Sequence, residues 1–564
     1  ALLPAAGAAA APRAALPRAR DLSIEEQAGQ VFLIAIDTEI ARAREADIRA
    51  GRIGAVMLRW DRFTGAQARA FAAEMRTWTD SSPRKIPLLI ATDHEGGPVF
   101  TQRLYGTAPF PGNMALGATG SAELAFQAAR VTARELLPLG IDVTFAPDVD
   151  VNSNPLNPII GLRSFGEDPA EVARLGVAAL RGYLAGGILP VIKHFPGHGD
   201  TTVDSHLGLP INRKTLSQLD ETELVPFRAA LRAGAPAVMP AHMVFPALGT
   251  GPEQPVSLSS AALRGFLRGR LGFKGLLISD SLDMGAIADV RGSSSAAVAA
   301  LAAGEDVLLI GKADFPSAYA AVVAAVRSGR IPRSRLERAA ARVLAVKRRL
   351  GLARRGLPPP VSAREAARGR ALAERIAERA VTLVRDDGLL PLRLKAGQRL
   401  GLVLVHSTRY DGEIARFADA VRARHPALDF VDLPELSPSA AQAAGAAARV
   451  RGDAAVVVGT FQFGGPSPEG QRRLVEALEA GPAPLAAVSL MDPYDLSLST
   501  GAGAALCAYG ITDSSLSAAA KLLFGEIPPR GRLPVTVPGV ARRGAGLRSF
   551  QPARGPRAKK RPSP

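Results

Sequence analysis

The sequence predicts an α/β protein, a (β/α)8 barrel of the TIM type followed by a smaller three-layer α/β sandwich domain. Three observations carry that expectation. Eight short apolar runs alternate with amphipathic stretches between about residues 22 and 350. A proline cluster, Leu357-Pro358-Pro359-Pro360, breaks the pattern. Beyond it a second alternation begins, with five further apolar runs. A chain of 564 residues is also too long for a single core, so two domains are the natural reading.

The eight runs are Val31–Ile36, Ile53–Trp60, Ile86–Thr92, Ile141–Ala146, Leu189–His194, Ala237–Ala241, Gly275–Ser279 and Asp306–Ile310. Between them lie segments with helical period and helix-start signals: Ser121 before Glu123, Asp168-Pro169 before Val172, and Ser260 before Ala261. Eight strands alternating with helices match a closed (β/α)8 barrel, whereas an open doubly wound sheet usually carries fewer. After the proline cluster one helix is expected from about Ser362 to Ala380. Strands are then expected at Leu400–Val405, Asp429–Leu433, Ala454–Gly459, Leu485–Leu490 and Ala505–Tyr509. No Gly-x-Gly-x-x-Gly follows the first of these, so no dinucleotide site is expected there. The expected boundaries are a leader at 1–20, the barrel at 21–352, a linker and helix at 353–380, the sandwich at 381–545 and a basic tail at 546–564.

Composition narrows the function. The formal charge is +17, but the arginines fall mostly on amphipathic stretches such as Arg330 to Arg349, as solvated faces do. Nucleic-acid binding would need basic residues clustered with aromatics or a docking motif, and neither occurs. One basic cluster, Arg542 to Arg561, holds eight cations and no acid, and reads as a disordered tail. The single cysteine, Cys507, excludes a disulfide framework and a multi-cysteine metal site. No apolar run reaches the length of about 20 residues that a spanning helix needs. Ala1 to Ala15, nearly all Ala, Leu, Pro and Gly, reads as the end of a secretory signal or as a flexible leader, with export rather than a cytoplasmic location the expectation.

The informative feature is where polar residues fall. The third run leads into Asp93-His94-Glu95-Gly96-Gly97, and the fourth to Asp148 and Asp150. The fifth ends in Lys193-His194, the sixth in His242 and the seventh in Asp280, and Lys312 follows the eighth. Five of the seven histidines lie in this half of the chain. Barrel enzymes gather catalytic groups from several strands at the carboxyl-terminal face. A structural protein has little reason to collect costly polar groups there. These residues are expected to form an enzyme site.

The string Lys193-His194-Phe195-Pro196-Gly197-His198-Gly199-Asp200, followed by Asp204-Ser205-His206, resembles the signature of glycoside hydrolase family 3, and more narrowly its β-N-acetylhexosaminidase branch. Asn152-Ser153-Asn154-Pro155, Arg163-Ser164-Phe165-Gly166, Ser279-Asp280-Ser281-Leu282-Asp283-Met284 and the run Gly531-Arg532-Leu533-Pro534-Val535-Thr536 agree with a two-domain member. The resemblance implies retaining hydrolysis of terminal β-linked N-acetylglucosamine, as in peptidoglycan fragments or chitooligosaccharides. It implies no metal and no cofactor. By resemblance Asp280 is the nucleophile and His206 the acid/base, with Asp204 as its partner. Asp93, Arg163, Lys193 and His194 are the expected sugar ligands. The sequence departs from the family pattern after Gly97, where Pro98 replaces an expected Arg and a short insertion precedes Arg103-Leu104; Arg103 is the remaining ligand candidate.

The residue types suit those roles. Retaining glycosidases need a nucleophile and a proton donor. An imidazole titrating near 6.5 suits a group that gives a proton and later takes one back. Asp204 can fix its tautomer and favour its charged form. Gly197 and Gly199 are expected to let the loop swing. The plainer alternatives are that Asp280 caps a helix, that Asp204 and His206 form a surface turn, and that Glu95 or Asp150 is a structural ion-pair partner. His194 and His198 are spaced for a metal on a helix, but Pro196 and Gly197 forbid that helix. A β-glucosidase or xylosidase, a phosphorylase using the His acid/base, and a decayed sugar-binding protein are the competing functions. The expected partner is carbohydrate, with no nucleic acid and no transmembrane segment, and a monomer is expected.

Overall fold

The computed structural model describes residues 16–59, 62–287, 292–311 and 314–552. Lys312, the first fifteen residues of the leader and the tail from 553 onward lie outside the described residues. The chain divides into two compact units, and the division falls inside the helix Ala363–Ala380, at Gly369.

In the first unit, the described residues form eight strands: β1 (Phe32–Ile36), β2 (Ala55–Leu58), β3 (Leu89–Thr92), β4 (Val143–Thr144), β5 (Leu189–Phe195), β6 (Ala237–Pro240), β7 (Leu276–Leu277) and β8 (Leu308–Ile310). They pair in parallel in the order β7-β6-β5-β4-β3-β2-β1-β8. A parallel bridge between Ile278 and Val307 joins the two ends, so the sheet closes on itself into the expected barrel.

Helices follow the strands, and local chemistry starts them. Ser121 Oγ accepts from Leu124 N, and Asp168 accepts from Ala170 N and Glu171 N with Pro169 at the first helical position. Ser260 does not cap the helix Ala261–Arg270 as expected; its neighbour Ser259 accepts from Ala262 N instead. No described helix is long and apolar enough to cross a membrane.

Strand periodicity organises the interior. Alternate residues point inward, and the buried cluster takes two from most strands: Leu89 and Ala91, Val143 and Phe145, Leu189 and Val191, Ala237 and Met239, Leu276 and Ile278, Val307 and Leu309, with Ala55 from β2 and the half-buried Met57 packed against it. The N-terminal end of this stack is filled by Val343, Leu350 and Leu352 from the last helix of the unit and the turn after it.

The seam between β7 and β8 is pinned by Asp306. Its backbone N–H donates to Leu277 O and its carboxylate accepts from Leu277 N at 3.1 Å. The same buried carboxylate pairs with Arg268 at 2.6 Å, Arg342 at 2.9 Å and Arg335 at 3.5 Å.

The second unit carries β9 (Thr382–Asp386), β10 (Leu400–Val405), β11 (Leu428–Leu433), β12 (Ala455–Thr460), β13 (Leu485–Ser489) and β14 (Ala504–Cys507), in the order β11-β10-β12-β13-β14-β9. Five strands are parallel, as expected, and β9 adds a sixth that runs antiparallel at the edge. It follows the preceding helix with no intervening turn signal, although the run Val381-Thr382-Leu383-Val384 before Asp386-Asp387-Gly388 suits a strand. The free edge of β9 is covered by chain from the stretch read as a disordered tail. Leu547 N–H donates to Leu383 O at 2.7 Å and Gln551 N–H to the Asp386 carboxylate at 2.9 Å.

This unit also takes in Pro109–Gly120 and Phe165–Glu167, which the linear boundaries put in the barrel. Glu167 explains its share: its carboxylate accepts from the backbone N–H and the hydroxyl of Thr536, each at 2.7 Å. In the same way Arg532 N–H donates to Ala118 O at 3.0 Å.

Asp306→Ala leaves three arginines without their shared carboxylate and should destabilise the protein by about 3–5 kcal/mol. Asp306→Asn keeps an acceptor for Leu277 N and should cost less. Denaturant midpoints of the two variants give the comparison.

Candidate active site

The charged residues of the site continue the inward stripes of the barrel by one more step. Leu89 and Ala91 are followed by Asp93, Leu189 and Val191 by Lys193, Leu276 and Ile278 by Asp280, and Ala55 and Met57 by Arg59. Each is the next same-face residue at the carboxyl end of its strand. Together they line a cavity of about 580 Å3, joined by Arg62, Phe100, Arg163, His194, His198 and His206. That volume is typical of a small-ligand site.

A larger cavity of about 700 Å3 opens at the amino-terminal ends of β6 and β7 and is lined by Arg228, Arg232, Arg270, Lys274, Arg342 and Arg349. Barrels do not place their chemistry at that end. The smaller cavity is the candidate site.

Glu95 organises one wall of the cavity. It is 5% exposed and accepts from Arg163 through two parallel bonds of 2.9 Å, while Lys193 Nζ lies 2.6 Å away. Burial alone would raise the Glu95 pKa, but Arg163 and Lys193 outweigh it and hold it below the usual value. Lys193 also reaches Asp93 at 3.1 Å. Burial raises the pKa of Asp93 against the attraction of Lys193. Glu95 therefore aims two cations, and Asp93, Arg163 and Lys193 face the cavity.

His194 is set by Asp150, which accepts from His194 Nδ1 at 2.7 Å, His194 N at 3.2 Å and His198 N at 2.7 Å. Burial opposes its ionisation, yet the His194 ring outweighs this and brings its pKa to about 2. Neighbouring Asp148 is pushed well up by burial and by the Asp150 charge. Asp148, Asp150 and His194 offer three metal-type ligand atoms within 4.8 Å of one another. Asp150 already takes three N–H donors there, and its bond fixes the proton on His194 Nδ1.

Asp280 closes β7. Its Oδ1 accepts from Ser281 N at 2.7 Å. Burial would raise its pKa, but His242, His194, that N–H and Lys193 together hold it below the usual value. His242 steadies this turn: Nε2–H donates to Ser281 O at 3.0 Å, which leaves Nδ1 to accept from the Ser257 hydroxyl at 2.7 Å. Asp283, the rival carboxylate, accepts from Ser281 Oγ and from Gly311 N at 2.8 Å.

His206 enters from the loop after β5. Asp204 Oδ1 accepts from His206 Nδ1 and from its backbone N–H, both at 2.8 Å. The Asp204 hydrogen bond is the largest influence and raises the His206 pKa; burial opposes it and the Asp280 charge adds to it. The two glycines expected to act as hinges are buried at close approaches. A Cβ on Gly199 would collide with the Val151 carbonyl, and one on Gly197, at φ 142°, would lie 2.8 Å from Glu223. Exposure begins only at Thr202.

Arg103 does not line the cavity. It stands on the turn Arg103–Tyr105, and the preceding Gln102 is drawn back onto the barrel by bonds to Thr92 Oγ1 at 2.9 Å and Leu58 O at 3.2 Å. Phe100 of the same insertion faces the cavity instead. Arg59, Arg62 and Phe100 were not among the expected ligands. The alternation through Ala55 and Met57 would have found Arg59; nothing in the sequence marks the other two.

Residues 23–346 match the model of the glycosyl hydrolase family 3 N-terminal domain. The chain belongs to glycosyl hydrolase family 3. Beta-hexosaminidase A of Pseudoalteromonas piscicida is 34% identical over 361 residues, 60% of this chain and 60% of that protein. The β-N-acetylglucosaminidase/β-glucosidase of Cellulomonas fimi is 33% identical over 433 residues, covering 73% and 74%. Among solved structures, a family 3 β-N-acetylglucosaminidase from Paenibacillus sp. str. FPU-7 has a TM-score of 0.83 at 33% identity, covering 92% of this chain and 99% of that one. A β-glucoside phosphorylase has a TM-score of 0.80 at 26% identity, covering 92% and 95%. The family 3 chain described here is thus a glycoside hydrolase with the barrel-plus-sandwich architecture.

Because Asp204 stabilises the protonated ring, its contribution is present at low pH and is lost as pH rises through the raised His206 pKa. Asp204→Asn should return that pKa toward the ordinary 6.5. NMR titration of the His206 ring protons in both proteins measures the change.

Proposed function

We propose that this enzyme removes terminal β-linked N-acetylglucosamine with retention of configuration, through a covalent glycosyl–Asp280 intermediate. The observation that carries the reading is the meeting, in one cavity, of an ionised carboxylate from β7 and an Asp-supported imidazole from the β5 loop. Asp280 Oδ1 is engaged by Ser281 N–H, which leaves Oδ2 to attack the anomeric carbon. The bond to the leaving oxygen breaks as that oxygen takes the proton from His206 Nε2, since Nδ1–H is held by Asp204. In the second half His206 takes a proton from water. The water oxygen bonds to the anomeric carbon and the ester to Asp280 breaks. Asp93, Lys193, Arg163 and His194 are the sugar ligands in this reading, with hydroxyls accepting from the cations and donating to Asp93.

The choice of N-acetylglucosamine rests on the Asp204-Ser205-His206 element and on the names of the Paenibacillus and Cellulomonas relatives, the latter of which also names β-glucosidase. Peptidoglycan fragments and chitooligosaccharides are the natural substrates it suggests. Phosphorolysis is the second reading. Arg59 and Arg62 line the cavity, and a histidine acid/base does not repel an anionic nucleophile as a carboxylate would.

Rates on aryl N-acetylglucosaminide and aryl glucoside, each with and without phosphate, separate the readings. Faster cleavage of the N-acetylglucosaminide, with no phosphate stimulation and free sugar as product, is the expected result. Asp280→Asn should lower kcat by at least about 1000-fold while sugar binding persists, the pattern of a lost nucleophile; near-normal turnover would remove Asp280 from the mechanism. His206→Ala should harm substrates with poor leaving groups more than activated aryl glycosides, and equal losses would remove the acid role.

A further inference from the structure

We infer that Phe100 is a positioning residue that seats the His206 ring for proton transfer, an inference that rests on the acid/base reading of His206. Phe100 lies between Pro98 and Arg103, in the segment where the sequence leaves the family pattern. It lines the cavity, and its backbone adopts φ 48°, a left-handed conformation that a bulky L-residue rarely takes. Two local restraints hold it there. The Phe100 carbonyl accepts from Glu95 N–H at 3.1 Å, and Gln102 ties the following chain to Thr92 Oγ1 and Leu58 O. Strain retained by such restraints in a cavity wall points to use of the side chain.

The ring has two neighbours that matter to the chemistry. The Arg163 guanidinium carbon lies 4.3 Å from its centroid, a cation–π contact. The His206 ring lies nearly parallel to it, at 6.4 Å between centroids and 12° between planes. The two ends of this chain of contacts differ in rigidity. Arg163 is buried and held by Glu95 and by Ile159 O at 2.9 Å, so it does not need Phe100. His206 is exposed and rides a loop, with Asp204 two residues away as its hydrogen-bond partner. Asp204 restrains one edge of the imidazole, and Phe100 supplies a flat surface that restrains its plane. The Glu95 carboxylate is thereby linked, through Arg163 and Phe100, to the loop-borne acid.

The assignment predicts a split between substrates. Removing the ring should leave sugar grip in place and weaken proton delivery. Loss of an aromatic contact of this kind should lower kcat/KM about three- to tenfold more on an N-acetylglucosamine disaccharide, whose leaving group needs the proton, than on an activated aryl N-acetylglucosaminide. Phe100→Ala removes the ring and keeps the strained backbone, while Phe100→Gly removes both. Both variants should show the split, with KM little changed, and Phe100→Tyr should restore the wild-type ratio. Thermal melting identifies any variant that fails to fold, and Phe100→Leu replaces one that does. Equal losses on both substrates, a loss expressed in KM, or a Phe100→Gly variant with the wild-type ratio would overturn the role. His206→Ala measured alongside tells two failures apart. If it shows the split and Phe100→Ala does not, only this inference falls; if it shows none, the acid reading falls and the inference with it.

Discussion

One buried carboxylate, Glu95, is the constraint on which the site depends. Burying an ionised group costs several kcal/mol unless partners replace its water, and Glu95 is kept charged by Arg163 on one side and Lys193 on the other. The reverse also holds. Two cations pointing into a shared cavity would repel one another and lose their hydration without an anion between them. Because the guanidinium is engaged by two parallel bonds, its plane as well as its position is set. Lys193 carries the order on to Asp93, and Arg163 carries it to Phe100.

The second determinant is geometric. A closed parallel barrel forces every strand to present alternate residues to one axis, and it leaves no room for polar groups in the packed layers. The apolar layers from Leu89 to Leu309 fill the interior, so the first inward position beyond them is the first that can meet solvent and substrate. Asp93, Lys193, Asp280 and Arg59 all occupy that level. Residues on the strands inherit the rigidity of the barrel, whereas His206 does not. Its loop begins from buried glycines that pack against Val151 and Glu223, and becomes exposed only past them. The loop is anchored a second time beside His206, where buried Ser205 bonds His198 Nε2 through its hydroxyl at 3.0 Å and accepts from Ala286 N–H through its carbonyl, while the exposed His206 ring is held by Asp204.

The chemistry of the second unit is less specific, but its construction is instructive. Its five parallel strands are those the alternating runs marked. The features that complete it come from elsewhere in the chain: an antiparallel edge strand, a covering segment near the carboxyl end, and two short pieces from the first half. Each is recruited by backbone hydrogen bonds or by a single carboxylate such as Glu167, and such partners leave little trace in local composition.

Much of this was legible in the chain, because hydrophobic alternation is a local property tied to strand geometry. Short apolar runs between amphipathic stretches placed eight strands, and the polar residues after the third to eighth runs marked their carboxyl ends. The Asp204–His206 bond was legible too, since an Asp two residues before a His can bond it whatever surrounds them. Other facts required residues distant in sequence to meet. Glu95 is the buried ion-pair partner that one reading of the sequence allowed, but that its partners are Arg163 and Lys193 required the fold; Arg103 lies outside the cavity, beside a Gln102 tied to the barrel; Gly197 and Gly199 serve close packing. Phe100 meets Arg163 and His206 only because the fold brings residues 100, 163 and 206 to one cavity. The physical reason is range. Propensity, capping and alternation act over a few residues, whereas burial, charge compensation and ring contacts depend on what the closed barrel brings within a few ångströms.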